Sequence, residues 1–235
     1  MLYYGYDGFP KSFVKVLKTL NIRESCVDLR FMNAGPSHTL PIRIAIFASG
    51  GGSNASAICH YFAQNESVEV VLLVSNKETS GVFELGKDID IPSVFITKDQ
   101  VKDGPYLLAL MDRYKVDLIV LAGYLRHIPD PLVHAFPHRI LNIHPSLLPA
   151  YGGKGMYGLH VHEAVVANGE SLSGLTIHYV SEIYDEGEII FQAHQKVEAG
   201  WGAKELQQAV LKLEHIYYPQ VIQDICESLA SQRVE

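Results

Sequence analysis

From Pro41 onward, apolar runs the length of strands alternate with segments of helical periodicity, and this alternation limits the fold more than any other feature of the chain. Ile42–Ala48 (IRIAIFA), Val68–Ser75 (VEVVLLVS), residues 117–122 (DLIVLA) and residues 140–143 (ILNI) are nearly continuous apolar runs, as strands buried on both faces require. Residues 54–64, 79–88, 106–114 and 131–136 read as the helices between them, with a short strand at 93–96. Strands separated by helices of this length imply βαβ units. After Gly158 the pattern predicts a helix over 161–168, longer strands over 174–180 and 188–197, and a terminal helix over 203–229. The expected architecture is α/β, a doubly wound and mostly parallel sheet with helices on both faces.

Residues 1–40 fall outside the pattern and read as an N-terminal extension of unassigned role, ahead of a domain over 41–235. Within the extension, residues 11–22 place Phe13, Val14, Val16, Leu17 and Leu20 at helical spacing with lysines between them. No uninterrupted apolar segment there suits a secretory signal. The longest apolar stretch, 116–125, is interrupted by Asp117 and Gly123 and is too short for a bilayer, so no membrane partner is expected. Nineteen Lys and Arg against 26 Asp and Glu leave a formal charge of −7, which argues against a broad nucleic-acid surface. Cys26, Cys59 and Cys226 are odd in number and widely spaced, so they read as reduced thiols in a cytoplasmic protein.

Ser49-Gly50-Gly51-Gly52-Ser53-Asn54 lies where the first strand should turn into the first helix. Glycines let a backbone approach an anion closely, and a helix N-terminus supplies free N–H donors. Gly50-x-Gly52-x-x-Ala55 fits a dinucleotide fingerprint formally, but the second strand ends in Val74-Ser75-Asn76-Lys77 without the acidic residue that would hold a ribose. The loop can be a ligand-free tight turn; phosphate binding without a dinucleotide is the reading preferred here.

Asn142-Ile143-His144-Pro145 closes the fourth core strand. Residues two apart in a strand share a face, so Asn142 and His144 project together while Ile143 enters the core. The C-terminal ends of parallel strands are where open α/β sheets bind ligands. An amide that stabilises an oxyanion beside an imidazole that donates a proton would suit acyl chemistry, although a strand-end histidine is more often structural. Asp185, in the turn Tyr184-Asp185-Glu186-Gly187, could supply the carboxylate that keeps such an imidazole cationic, or could serve only as a turn residue. His160 and His162 are two apart on an expected helix, and Pro137 interrupts His134 and His138, so no metal site is expected.

Taken together, the 49–54 loop, Leu121-Ala122-Gly123-Tyr124-Leu125-Arg126, residues 142–149, Thr176-x-His178, Asp185-x-Gly187 and Glu214-His215-x-x-Tyr218-Pro219 resemble the phosphoribosylglycinamide formyltransferases, folate-dependent enzymes of purine synthesis. The resemblance runs from Arg43 to about Ile222. It implies that Gly52, Ser53 and Asn54 hold the phosphate of glycinamide ribonucleotide and that Glu214 binds its ribose. Leu125, Arg126, His127 and Ile128, largely through backbone groups, with Asn142 and the loop from Val180 to Tyr184, would cradle 10-formyltetrahydrofolate, which is a co-substrate. Asn142, His144 and Asp185 match the catalytic trio, and His178 would support them without touching substrate. The resemblance calls for no metal and leaves open a monomer or a homodimer.

The sequence departs from that pattern in places. His127 stands where an aliphatic residue is common, and 152–158 (GGKGMYG) is long enough to form a lid. A formyltetrahydrofolate deformylase would carry a histidine and a phenylalanine in place of Pro145 and Leu147 and a longer regulatory domain before them. A methionyl-tRNA formyltransferase would need a basic C-terminal domain, for which the residues after Val197 are too few. A non-catalytic folate- or nucleotide-binding module is the alternative from another class.

Overall fold

The structure, a computed structural model, describes residues 40–233. The helix expected at 11–22 lies outside the described residues.

Five strands run parallel: β1 (Ile42–Ala48), β2 (Val68–Ser75), β3 (Ser93–Phe95), β4 (Leu118–Leu121) and β5 (Ile140–His144). Then β6 (Leu172–Tyr179) pairs antiparallel with β5, and β7 (Ile189–Lys196) antiparallel with β6, giving one sheet of order β3-β2-β1-β4-β5-β6-β7. The order reverses direction between β1 and β4, the switch point at which ligands of such sheets collect.

Helices cover both faces, which is why the central strands carry almost no polar residues. Ile42, Ile44 and Ile46 enter one core with Ala55, Ile58 and Phe62 of α1 (Ser53–Phe62). Val82 of α2 (Val82–Asp88) and Val165 of α5 (Leu159–Ala167) join that core, as do Leu206, Val210 and Ile222 of α6 (Ala203–Gln232). Ala45 and Phe47, pointing the other way, join Leu107, Leu110 and Met111 of α3 (Gly104–Arg113) and Leu132 of α4 (Asp130–Ala135). Period-two alternation thus splits β1 between two cores.

Each element expected after residue 41 is present, with ends shifted by local chemistry. The helix expected from residue 79 begins at Val82, because Ser80 N–H closes a turn on the Lys77 carbonyl at 3.1 Å. Asp103 caps α3 through the Tyr106 N–H at 3.0 Å, which moves its start back to Gly104. Helix α6 runs through Pro219, whose missing N–H leaves the His215 carbonyl without its helical partner. Directly beside that break, the buried Tyr218 hydroxyl reaches the carbonyls of Leu121 (3.0 Å) and Leu141 (3.2 Å), fastening α6 under the ends of β4 and β5. Glu214, one turn earlier on the same face, is carried to the mouth of α1.

Candidate active site

The glycine-rich turn after β1 is held open by its neighbours. Ser80 Oγ and Gly81 N–H both donate to the Gly50 carbonyl (2.9 and 3.2 Å). Gly81 lies so close that a Cβ there would sit 2.2 Å from the Gly51 oxygen. Gly52 takes φ 79° at the N-cap of α1, a left-handed conformation that favours glycine. No side chain caps this terminus and its first turn holds no acidic residue, so its N–H groups and dipole remain available to an anion.

Beside them, Asn54 Nδ2 donates to Glu214 Oε2 at 2.6 Å, while the buried Asn54 Oδ1 has no protein partner. Such an orphaned acceptor suits a ligand hydroxyl. Burial pushes the Glu214 carboxyl up to about 7 against the opposing effect of the Asn54 bond.

Ser49, buried at the end of β1, links this loop to two others. Its hydroxyl donates to Asn76 Oδ1 (2.6 Å) and accepts from the Leu125 N–H (2.9 Å). Asn76, where a dinucleotide site would carry its acidic residue, is therefore part of the scaffold. Leu125 N–H is committed to Ser49, so the backbone contacts expected of 125–128 must come from the remaining groups.

The segments expected on the folate side meet one another. His127 Nε2 donates to the Glu182 carbonyl at 2.9 Å, and its ring meets Tyr184 edge-on at 5.0 Å between centroids. Leu125, Ile183 and Tyr184 expose apolar surface there while Ile128 anchors the loop in the core. Val180 N–H bonds to the Ile140 carbonyl at 2.9 Å, tying the second segment to β5. Arg126 is exposed at the same rim.

Between these sites the amide, the imidazoles and the carboxylate converge. Antiparallel pairing places Asn142 opposite His178 and His144 opposite Thr176. His178 Nδ1 donates to the Tyr179 carbonyl (2.8 Å), so its Nε2 accepts from Asn142 Nδ2 at 3.1 Å, which fixes the orientation of the amide. Burial lowers the His178 pKa, in keeping with a neutral, accepting ring. Asp185 reaches His144 Nδ1 with Oδ2 (3.5 Å) and lies near Asn142 Nδ2 (3.5 Å) and His178 Nε2 (3.7 Å) with Oδ1. Its backbone is left-handed at φ 58°, a conformation Asp tolerates better than most residues. Gly187 makes the turn possible, since a Cβ there would lie 1.7 Å from the Tyr179 oxygen.

Several participants carried no role in the sequence reading. The Tyr151 carbonyl accepts from His144 Nε2 (2.8 Å), and Gly153 N–H donates to Asp185 Oδ2 (2.8 Å), so the segment expected as a lid begins as part of the site. Backbone groups leave no mark in residue identity. Thr176 and Gln192 hold the turn after His144: Thr176 Oγ1 donates to the Ser146 carbonyl (2.7 Å) and accepts from Leu148 N–H (2.9 Å), and Gln192 Nε2 donates to the Leu148 carbonyl (3.0 Å). His162 is buried with Nδ1 unpartnered; burial and the neighbouring His144 lower its pKa to about 4. The paired histidines separate as their spacing predicts. His160 is exposed beside Glu163, His134 bonds Glu182 (2.5 Å), and His138 lies 3.7 Å from Glu188. No group of three or more His, Cys, Asp or Glu comes together as a metal site among the described residues.

The formyl transferase family model matches residues 42–222. A phosphoribosylglycinamide formyltransferase of Bacillus subtilis is 37% identical over 78% of this chain and 94% of its own length. The chloroplastic enzymes of that name from Arabidopsis thaliana and Vigna unguiculata are 46% and 44% identical, each over 79% of this chain. The chain spans 65% and 61% of those two proteins. A solved glycinamide ribonucleotide transformylase from Symbiobacterium toebii superposes with a TM-score of 0.74 at 32% identity, covering 80% of this chain and 89% of its own. The matched region runs from the first strand into α6 and takes in every group that meets at the C-terminal ends of the central strands; the chain belongs to the formyl transferase family, on its phosphoribosylglycinamide formyltransferase branch.

Proposed function

We propose that this protein transfers the formyl group of 10-formyltetrahydrofolate to the amine of 5-phosphoribosylglycinamide. The observation that carries the reading is the convergence of Asn142, His144 and Asp185 between an uncapped helix N-terminus and an apolar rim. Phosphate would lie on the N–H groups of Gly52, Ser53 and Asn54, with the ribose hydroxyls against Glu214 and the unpartnered Asn54 Oδ1. The pterin would lie against Leu125, Arg126, His127 and Ile128, facing Val180 and Tyr184.

In this reading the amine nitrogen bonds to the formyl carbon, and the carbonyl oxygen takes up negative charge against Asn142 Nδ2–H and His144. Preorganised donors of this kind stabilise an oxyanion without reorganising during the reaction. His144 Nε2–H donates to the Tyr151 carbonyl, so a second N–H at Nδ1 requires the imidazolium; Asp185 Oδ2, 3.5 Å from Nδ1, favours that charge electrostatically and leaves the Nδ1 donor to the oxyanion. His162 and His178, their pKa values lowered by burial, add no competing cation. As the bond from carbon to the folate nitrogen breaks, one proton leaves the attacking amine and one reaches the departing nitrogen, with Asp185 as the carrier through water. Electrons and protons balance with no covalent enzyme intermediate and no metal.

Residues 41–235 form the formyltransferase domain in this proposal, and residues 1–40 carry no assigned role. The protein acts as a monomer or homodimer in the cytoplasm; free, buried Cys59 and Cys226 suit a reducing compartment, while the names of the plant relatives assign those proteins to chloroplasts. The test is to follow release of the deformylated folate with and without glycinamide ribonucleotide. Amine-dependent release is expected. Release at the same rate in water alone would make the protein a hydrolase, and no release at all would leave a binding module.

A further inference from the structure

Tyr151 has a left-handed backbone, φ 58°, although it is neither glycine, Asn nor Asp. Such a conformation persists in a bulky residue only where its surroundings over-determine it. Here both ends of the residue are held. Its hydroxyl donates to Glu170 Oε1 (2.8 Å) and accepts from Asn168 Nδ2 (2.9 Å). Those two side chains belong to the turn that ends α5, itself closed by backbone bonds from Asn168, Gly169 and Glu170 to the Ala164, Val166 and Val165 carbonyls. At the other end, the Tyr151 carbonyl accepts from His144 Nε2 at 2.8 Å. Two residues on, Gly153 N–H holds Asp185 Oδ2.

We infer that Tyr151 is a positioning residue for the formyl transfer: anchored by Glu170 and Asn168, it commits Nε2 of His144 to its own carbonyl and so leaves Nδ1 as the nitrogen facing Asp185 and the reacting atoms. The inference rests on the function proposed above. Without the anchor, the imidazole loses the acceptor that fixes its ring orientation, and misplacement of a reacting group by about 1 Å can cost up to about a hundredfold in rate. The side chains of Asn168 and Glu170 are exposed and lie outside the residues assigned above to either substrate, so they can be changed without opening the core.

The test uses the full chain and three variants, Tyr151→Phe, Glu170→Ala and Glu170→Gln. Tyr151→Phe and Glu170→Ala should each lower kcat roughly 5- to 20-fold while KM for both substrates stays within about twofold, the pattern of a transition-state effect. Glu170→Gln keeps an oxygen that accepts from the Tyr151 hydroxyl and should retain kcat within about twofold of the parent. In nitrogen-15 spectra, the exchange-protected Nε2–H of His144, assigned by its loss in His144→Ala, should persist in the parent and Glu170→Gln and disappear in the other two variants. Parental kcat with the protected resonance intact in Glu170→Ala and Tyr151→Phe would overturn the inference, as would a loss of rate carried entirely by KM. An unmodified protein without amine-dependent turnover would instead overturn the proposed function, and the nitrogen-15 comparison would still decide whether Tyr151 holds the ring.

Discussion

Asn54 and Glu214, 160 residues apart in the chain, share a 2.6 Å hydrogen bond that joins the first turn of α1 to the middle of α6. The carboxyl is buried and titrates near 7, above the 4.5 of an exposed glutamate. The folded state therefore binds its proton more tightly than the unfolded state, and stability falls as pH rises from about 4.5 to 7. His162 works in the opposite direction. Its folded pKa of about 4 lies below 6.5, so the unfolded state takes the proton first and stability falls as pH drops from 6.5 to 4. Between pH 4.5 and 6.5 the two oppose each other, and His178 and His215, also lowered by burial, add to the histidine side. Glu214→Gln should uncover the histidines: in denaturant titrations the rise in stability from pH 4.5 to 6.5 should exceed that of the parent by on the order of 1–3 kcal/mol. The same slope in variant and parent would mean that the burial effect on Glu214 is absent.

His144→Ala should lower kcat roughly 10²- to 10³-fold, the usual loss of a donor that stabilises the transition-state oxyanion. The fold should survive, because the side chain lies at a strand end. Leaving the Tyr151 carbonyl unpartnered should cost about 1–3 kcal/mol, readable as a lower denaturation midpoint.

Asp185 offers a cleaner comparison. Asparagine accepts the left-handed backbone at φ 58° and keeps the shape, so Asp185→Asn should lose kcat with an unchanged melting temperature. Asp185→Val, β-branched at the same φ, should lose both. Equal melting temperatures for the two variants would mean that the turn exerts no such constraint.

Ser49→Ala removes a hydroxyl that both donates and accepts, leaving Asn76 Oδ1 and the Leu125 N–H without those partners. The expected result is a rise in KM for both substrates, severalfold each, measured by varying one at saturation of the other. A change in only one would break the proposed link between the two loops.

How much of this the sequence disclosed varies by element. The strands were legible because both faces of β1, β2 and β4 are buried, and continuous apolar runs follow from that alone. Asn142 and His144 were legible as a pair because a strand has a fixed side-chain period. Their meeting with Asp185 depends on β6 and β7 returning antiparallel and on Gly187 crowding Tyr179, neither of which has a local signal. Only the family resemblance bridged that gap in advance. The Tyr151 carbonyl and Gly153 N–H were hidden for a simpler reason, since every residue carries such groups. His162 was visible, but its burial beside His144 comes from the packing of α5, and the spacing to His160 spoke only about metals.

The Ser49 hydroxyl has a thermodynamic corollary. Whatever settles on the glycine-rich turn draws the Leu125 backbone into place, and whatever settles against Leu125 steadies the turn in return. The ordering cost is then met largely by whichever molecule arrives first. Affinity for either should rise when the other is already aboard, and reciprocity requires the enhancement to be the same factor in both directions.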